Sequence, residues 1–192
     1  MCTAAHTGVN PKGYIQANHP VMQNVREVMI NVTGALHEED QCGSDGCSIP
    51  TYAIPLKALA HGFAKMATGN GLSADRAAAA DTLMNACMAE PFYVAGTNRF
   101  CTKLMKLGKG RLFAKTGAEG VFCGAVPELG LGIALKCDDG ATRAAEVMMA
   151  ATLTHCLPKD DPLQEQLAEL TRVPLKNWNG IQVGEIRETP RQ

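Results

Sequence analysis

The sequence predicts an α+β protein in which helices are segregated from an antiparallel sheet. Three observations carry that reading. Apolar residues recur at helical spacing in three stretches between His19 and Glu90. Three short runs, near 111–116, 120–126 and 131–137, alternate in period two. Helical spacing then returns over 142–156, and one more alternating run closes the chain at Ile181–Ile186.

Residues 1–18 read as irregular, broken by Gly8, Pro11 and Gly13. His19-Pro20 opens the first long helix, with Val21, Val25, Val28, Met29 and Val32 at helical spacing. Proline suits a first turn, whose N–H would have no partner anyway, and Gly34 suits the stop. Residues 36–53 read as a loop, acidic at Glu38-Glu39-Asp40; loops of that length within a compact domain are often functional.

Pro55 begins the next helix, which carries Leu56, Leu59, Ala60, Phe63 and Met66 to a stop at Gly69. Ser73 is placed to cap a third helix, through Ala77–Ala80, Leu83, Met84 and Met88, ending before Pro91. A loop over 91–99 follows, with Thr97 a cap for a short helix through Phe100, Leu104 and Leu107.

The three alternating runs form a meander. Gly117 and Gly120 sit where the chain must reverse and tolerate positive φ there. Asp138-Asp139-Gly140 turns into the 142–156 helix, with Ala144, Val147, Met148, Ala151 and Thr152 expected inward. Asp161-Pro162-Leu163-Gln164 starts a short helix carrying Leu167 and Leu170, and the last strand follows. The chain divides into a helical lobe with active-site loops, 1–109, and an antiparallel sheet with C-terminal helices, 110–192.

The totals narrow the class. With 192 residues, 46% apolar and 19% charged, the chain suits a globular fold. A formal charge of -1 and no Lys/Arg block disfavour a nucleic-acid partner. No apolar run is long enough to span a bilayer, so no membrane partner is expected. The eight cysteines are scattered and form no Cys-x-x-Cys. They read as reduced thiols, mostly small core residues, in a cytoplasmic protein.

Lys115-Thr116-Gly117 is the stretch with chemistry in it. A lysine at a strand end, then threonine and glycine, aims an ammonium, a hydroxyl and bare backbone at one spot, a pocket for a carboxylate or a developing oxyanion. Taken alone, Lys115 reads equally as an exposed strand lysine. Asp45-Gly46 reads also as a turn pair, and Cys47 as a buried thiol. Glu119 either braces the turn or reaches a substrate amino group. Cys42 and Cys47 are near enough in sequence for a metal pair, yet the loop supplies no third ligand.

Four spaced pieces together resemble one family. Asp45-Gly46-Cys47-Ser48-Ile49-Pro50, Val94-Ala95-Gly96-Thr97-Asn98-Arg99, Ala114–Gly120 and Gly132–Gly140 look like the rhizobial-type bacterial L-asparaginases. That family is similar in fold to the serine β-lactamases. The resemblance implies hydrolysis of the side-chain amide of L-asparagine to L-aspartate and ammonia through a serine acyl-enzyme. It implies Lys115 as the catalytic cation and Thr116, Gly117, Glu119 and Asp45 as substrate-binding residues. It implies Cys47 as a ligand in a zinc site whose other ligands belong to a Cys-Ser-Gly-Lys-His segment.

The chain departs from the family in lacking both that segment and a Ser-x-x-Lys pair. It therefore reads as the C-terminal portion of a longer enzyme, inactive alone. Its expected partners are L-asparagine and either the missing N-terminal half or a second copy. A second departure is Cys101, where an aspartate is expected. Two other classes stay open: a non-catalytic zinc-binding or subunit-forming fragment, and a penicillin-recognising serine hydrolase.

Overall fold

The computed structural model describes residues 1–189, and the chain is α+β as expected. In chain order the helices and strands begin with α1 (Cys2–Thr7), α2 (Pro20–Thr33), β1 (Cys42–Ser44) and β2 (Pro50–Tyr52). Next come α3 (Leu56–Thr68), α4 (Ala74–Ala89), α5 (Pro91–Ala95) and α6 (Phe100–Gly108). The meander is β3 (Phe113–Thr116), β4 (Val121–Val126) and β5 (Leu131–Lys136). The chain ends with α7 (Thr142–Cys156), α8 (Gln164–Leu170), β6 (Arg172–Lys176) and β7 (Gln182–Arg187).

The helix boundaries follow the punctuation of the sequence. Pro20 occupies the first turn of α2, and the His19 ring accepts from Val21 N–H at 3.1 Å as the cap. Gly34 and Gly69 end α2 and α3 in the left-handed conformation that glycine adopts freely. Ser73 stands at the cap position of α4, but its side chain makes no capping bond. At α6 the cap position is Arg99 rather than Thr97, again without a side-chain bond. Thr102 fastens that corner instead, its hydroxyl 2.7 Å from Gly96 O and 3.3 Å from Pro91 O.

The meander is antiparallel throughout, in the order β3-β4-β5, with Lys115 opposite Cys123 and Cys123 opposite Ala134. Strand alternation gives it two faces. Phe113, Lys115, Cys123, Ala125, Gly132, Ala134 and Lys136 share the face on which α3 lies. Gly132 permits that approach: a Cβ there would fall 2.0 Å from Ala60 O and 2.4 Å from Ala64 N. Phe63 of α3 stacks on Phe113 at 5.7 Å. Phe122, Gly124, Ile133 and Leu135 share the opposite face, toward α7, where a Cβ on Gly124 would lie 3.3 Å from Met149 Sδ.

The core fills the space between these layers, with Leu104, Met105, Leu112, Phe122, Leu153 and Leu167 all fully buried. Each such side chain contributes about 1.5–3 kcal/mol by leaving water.

Two helices turn their apolar faces differently from the sequence reading. On α7, Val147 and Ala151 are buried as expected, but Met149 takes the space above Gly124, so Ala145, Ala150 and Leu153 are buried with it and Met148 turns outward. On α2, Val25 and Val28 are partly exposed, because α3 is met through Val32 and Thr33, which close on Gly62.

The final strand also behaves unexpectedly. β7 pairs with β6 in a separate hairpin, and it does not extend the meander. The hairpin tip carries Trp178, fully exposed, with Ile181 and Val183 beside it also exposed. Among the described residues, no helix is long and apolar enough to cross a membrane.

Candidate active site

The β3–β4 turn brings Lys115, Thr116, Gly117 and Glu119 together at one end of the sheet. β3 is an edge strand. Gly117 N–H turns inward to Val121 O at 2.7 Å, so the backbone of Thr116, one residue earlier, points out of the sheet. Both of its outward groups are engaged. Thr116 N–H donates to Cys101 Sγ at 3.1 Å, and Thr116 O accepts from Lys115 Nζ at 2.6 Å.

The thiols beside this strand are neutral. Cys101, in the first turn of α6, is buried, which pushes its thiol up against the opposing pull of Thr116 N–H and Lys115. Burial pushes Cys123, opposite Lys115, up to about 11.

The turn itself uses its residues in a way the sequence concealed. Positive φ falls on Glu119 (53°) and Gly120 (72°), not on Gly117. Gly117 is small for a packing reason, since a Cβ there would lie 3.1 Å from Val121 Cβ. Gly120 is required twice over: a Cβ would lie 2.8 Å from Cys137 Cβ and 3.0 Å from Gly140 C. Lys136, on the same sheet face as Lys115, donates to the carbonyls of Glu119 and Cys137. The exposed Glu119 carboxylate makes no ion pair among the described residues.

This end of the sheet gathers charges of both signs, the ammonium groups of Lys115 and Lys136 and the carboxylates of Glu119, Asp138 and Asp139. Gly132 faces Ala60 and Ala64, and Gly130 faces Thr68, so α3 runs opposite to β5. Its N-terminus, the positive end of the helix dipole, therefore points toward the Lys136 end. The two ammonium groups and the helix N-terminus favour an anionic group there, and the neighbouring carboxylates favour a cationic one.

Asp45 and Cys47 stand on a different element, the loop of the β1–β2 hairpin. Asp45 N–H donates to Ile49 O at 2.9 Å, and Ser48 N–H to Asp45 O at 2.8 Å. The tight closure puts Ser48 in the left-handed region, φ 72°. Cys47 Sγ donates to Asp45 Oδ2 at 3.2 Å. That bond, with one from Gly46 N–H, holds the exposed Asp45 carboxyl below the usual carboxylate range.

A cleft of about 800 Å³ opens beside this hairpin, lined by Arg26, Glu39, Cys42, Asp45, Ser48 and Tyr52. The Arg26 guanidinium lies 5.8 Å above the Tyr52 ring, with Nη1 3.5 Å from Glu39 Oε1. His37, fully buried, meets Tyr52 edge-on at 5.1 Å and donates from Nδ1 to Ala35 O at 2.9 Å. Burial pushes the Tyr52 hydroxyl up, with Cys42 adding to the shift. None of the recorded hydrogen bonds or ion pairs among the described residues joins this hairpin to Lys115 or its turn.

A zinc ion needs about four ligands in a tetrahedron. Cys47 and Asp45 supply two donors of suitable kind, yet no group of three or more His, Cys, Asp or Glu gathers among the described residues. These residues do not make a zinc site by themselves.

Sequence reasoning missed Cys101 as a bonding partner of Thr116 and the Arg26–Tyr52–His37 stack. Neither leaves a local pattern, since each is assembled from separate elements. A serine nucleophile is not evident in the sequence: of Ser44, Ser48 and Ser73, none is followed three residues later by lysine.

A family model described as L-asparaginase II matches residues 1–188. No curated protein matches the chain significantly.

Proposed function

The chain belongs to the L-asparaginase II family, and on that premise we propose that it forms part of an amidohydrolase site converting L-asparagine to L-aspartate and ammonia. The observation that carries the reading is Lys115-Thr116-Gly117 at the turn end of an edge strand, within a chain matched nearly end to end by the family model.

In this reading Lys115 is the catalytic cation. Without substrate its ammonium rests on Thr116 O. A substrate carboxylate or a developing oxyanion replaces that neutral carbonyl with a charge-assisted partner. Thr116 and Gly117 line the pocket, and the exposed Glu119 receives the α-ammonium. Helices on both faces of an antiparallel sheet, with Lys-Thr-Gly on its edge, support a serine β-lactamase-like arrangement.

The chemistry is a two-step acyl transfer. A serine oxygen attacks the side-chain amide carbon, the C–N bond breaks, and the nitrogen leaves as ammonia after taking a proton. Water then attacks the ester carbon, the C–O bond breaks, and aspartate departs as the serine regains its proton. In this reading the serine and its neighbouring base are supplied by a Ser-x-x-Lys pair, which this sequence does not contain. Cys47 is the thiolate this chain would bring to a zinc site, and Asp45 on the same hairpin loop stays assigned to the substrate. A cytoplasmic setting suits Cys2, Cys42, Cys47, Cys87, Cys101, Cys123 and Cys137, which are all free thiols.

The test is ammonia release from L-asparagine, by this chain alone and with a segment carrying Ser-x-x-Lys added. The expected result is activity only in the mixture, reduced about 10²–10³-fold by Lys115→Ala. Full activity from the isolated chain ends the divided-site reading, and an unchanged rate in Lys115→Ala removes the role given to that lysine.

A further inference from the structure

We propose that Cys101 is a positioning residue for the Lys115-Thr116-Gly117 strand, holding the outward N–H of Thr116 through its sulfur. The inference rests on the functional reading above and adds a residue to it.

An edge strand presents backbone donors that no neighbouring strand satisfies. At Thr116 that donor is met by a side chain from another element, Cys101 Sγ at 3.1 Å. The mount behind the sulfur is rigid. Phe100 lies edge-on to Phe122 at 6.0 Å, and the Thr102 hydroxyl holds Gly96 O at 2.7 Å. The residues on both sides of Cys101 are thus fixed, one to the sheet and one to the preceding loop.

The bond matters because of what Thr116 carries. Its carbonyl is the resting place of the Lys115 ammonium, and its hydroxyl begins the pocket wall. A shift of the Thr116 peptide displaces the lysine and the threonine together, and small displacements of positioned groups weaken binding and rate steeply. Burial keeps the thiol neutral, so sulfur serves as a lone-pair acceptor and brings no second charge beside Lys115.

The experiment compares Cys101→Ala, Cys101→Ser and the unaltered chain, with circular dichroism confirming that each is folded. Amide hydrogen exchange at Thr116 reads the bond. An NMR titration with L-asparagine, run with the Ser-x-x-Lys segment added and followed at Thr116 and Gly117, reads the pocket. Alanine is expected to speed Thr116 exchange and weaken binding about ten-fold, and serine, which keeps an acceptor, to return both toward the unaltered chain.

Equal exchange in all three proteins overturns the proposal, as does faster exchange with unchanged binding. Lys115→Ala separates the two readings. If asparagine binding survives that substitution, or the unaltered chain with the Ser-x-x-Lys segment added gives no asparagine-dependent shift, the functional reading fails and the positioning role fails with it. If binding needs Lys115 but not Cys101, only the positioning role fails.

Discussion

Arg111 donates from Nη1 to Asp161 Oδ1 at 3.1 Å, across fifty positions of sequence. The same guanidinium holds both Glu128 oxygens through Nε, at 3.0 and 3.1 Å. Asp161 Oδ1 also accepts from Leu163 N–H at 2.9 Å, so one carboxylate ties the base of β3 to the start of α8. Arg111 holds both carboxyls below their usual range. A depressed folded-state pKa contributes stability above the unfolded pKa, and that stability is lost as pH falls through the folded one. Arg111→Met is expected to lower the melting temperature at pH 7, with the gap to the unaltered chain closing as pH falls below the ordinary carboxylate range. Melts at a series of pH values check this; a gap that stays constant would mean the network carries no linkage.

Gly132→Ala is expected to be among the most damaging single changes in the molecule. Its Cβ would press on backbone atoms of α3 at 2.0 and 2.4 Å, and backbone cannot rotate away. Overpacking of this kind costs about 3 kcal/mol or more when main chain must move. Chemical denaturation of Gly132→Ala beside Ala134→Gly, on the same strand, separates overpacking from general loss of strand propensity.

Leu104→Ala should cost about 2–5 kcal/mol, because the side chain is fully buried where α6 meets the sheet and its removal leaves a cavity. Leu83→Ala on α4, where the leucine is largely exposed, should change stability by less than about 0.5 kcal/mol. The pair of denaturation curves tests the layer arrangement directly.

Thiol labelling should divide the cysteines by burial. At pH 8, exposed Cys2 and Cys47 should react with iodoacetamide in the folded protein. Cys101, Cys123 and Cys137 should react only after denaturation, since each is buried and burial pushes each thiol up. Peptide mass spectrometry reads the outcome, and early labelling of Cys123 would contradict its place under α3.

The long elements were legible because their signals are local. Pro20, Gly34 and Gly69 mark helix ends through backbone chemistry that needs no partner, and period-two alternation marked the meander. What stayed hidden depends on partners. β1 and β2 have three residues each, rich in glycine, serine and proline, and they are held by each other. The helix does end before Pro91 as expected, but the 91–99 stretch read as a loop opens with α5, whose first residue is Pro91. Pro174 disguised β6, whose pairing with β7 gives Pro174 an edge position that needs no N–H. The inward face of α7 was set by the space above Gly124, a property of another strand. In the candidate site, the Lys-Thr-Gly stretch was readable as a motif. Its support from Cys101 and Lys136 became visible only once α6 and β5 were in place.

The tip of the β6–β7 hairpin holds the protein's single tryptophan, wholly in solvent. Indole emission from this chain will therefore peak at long wavelength even when the fold is intact, and it will be quenched readily by iodide. As an optical reporter it is silent about the melting of the α3–sheet–α7 layers and sensitive to whatever settles on that tip, so a blue shift on concentration or mixing would register association without any added dye.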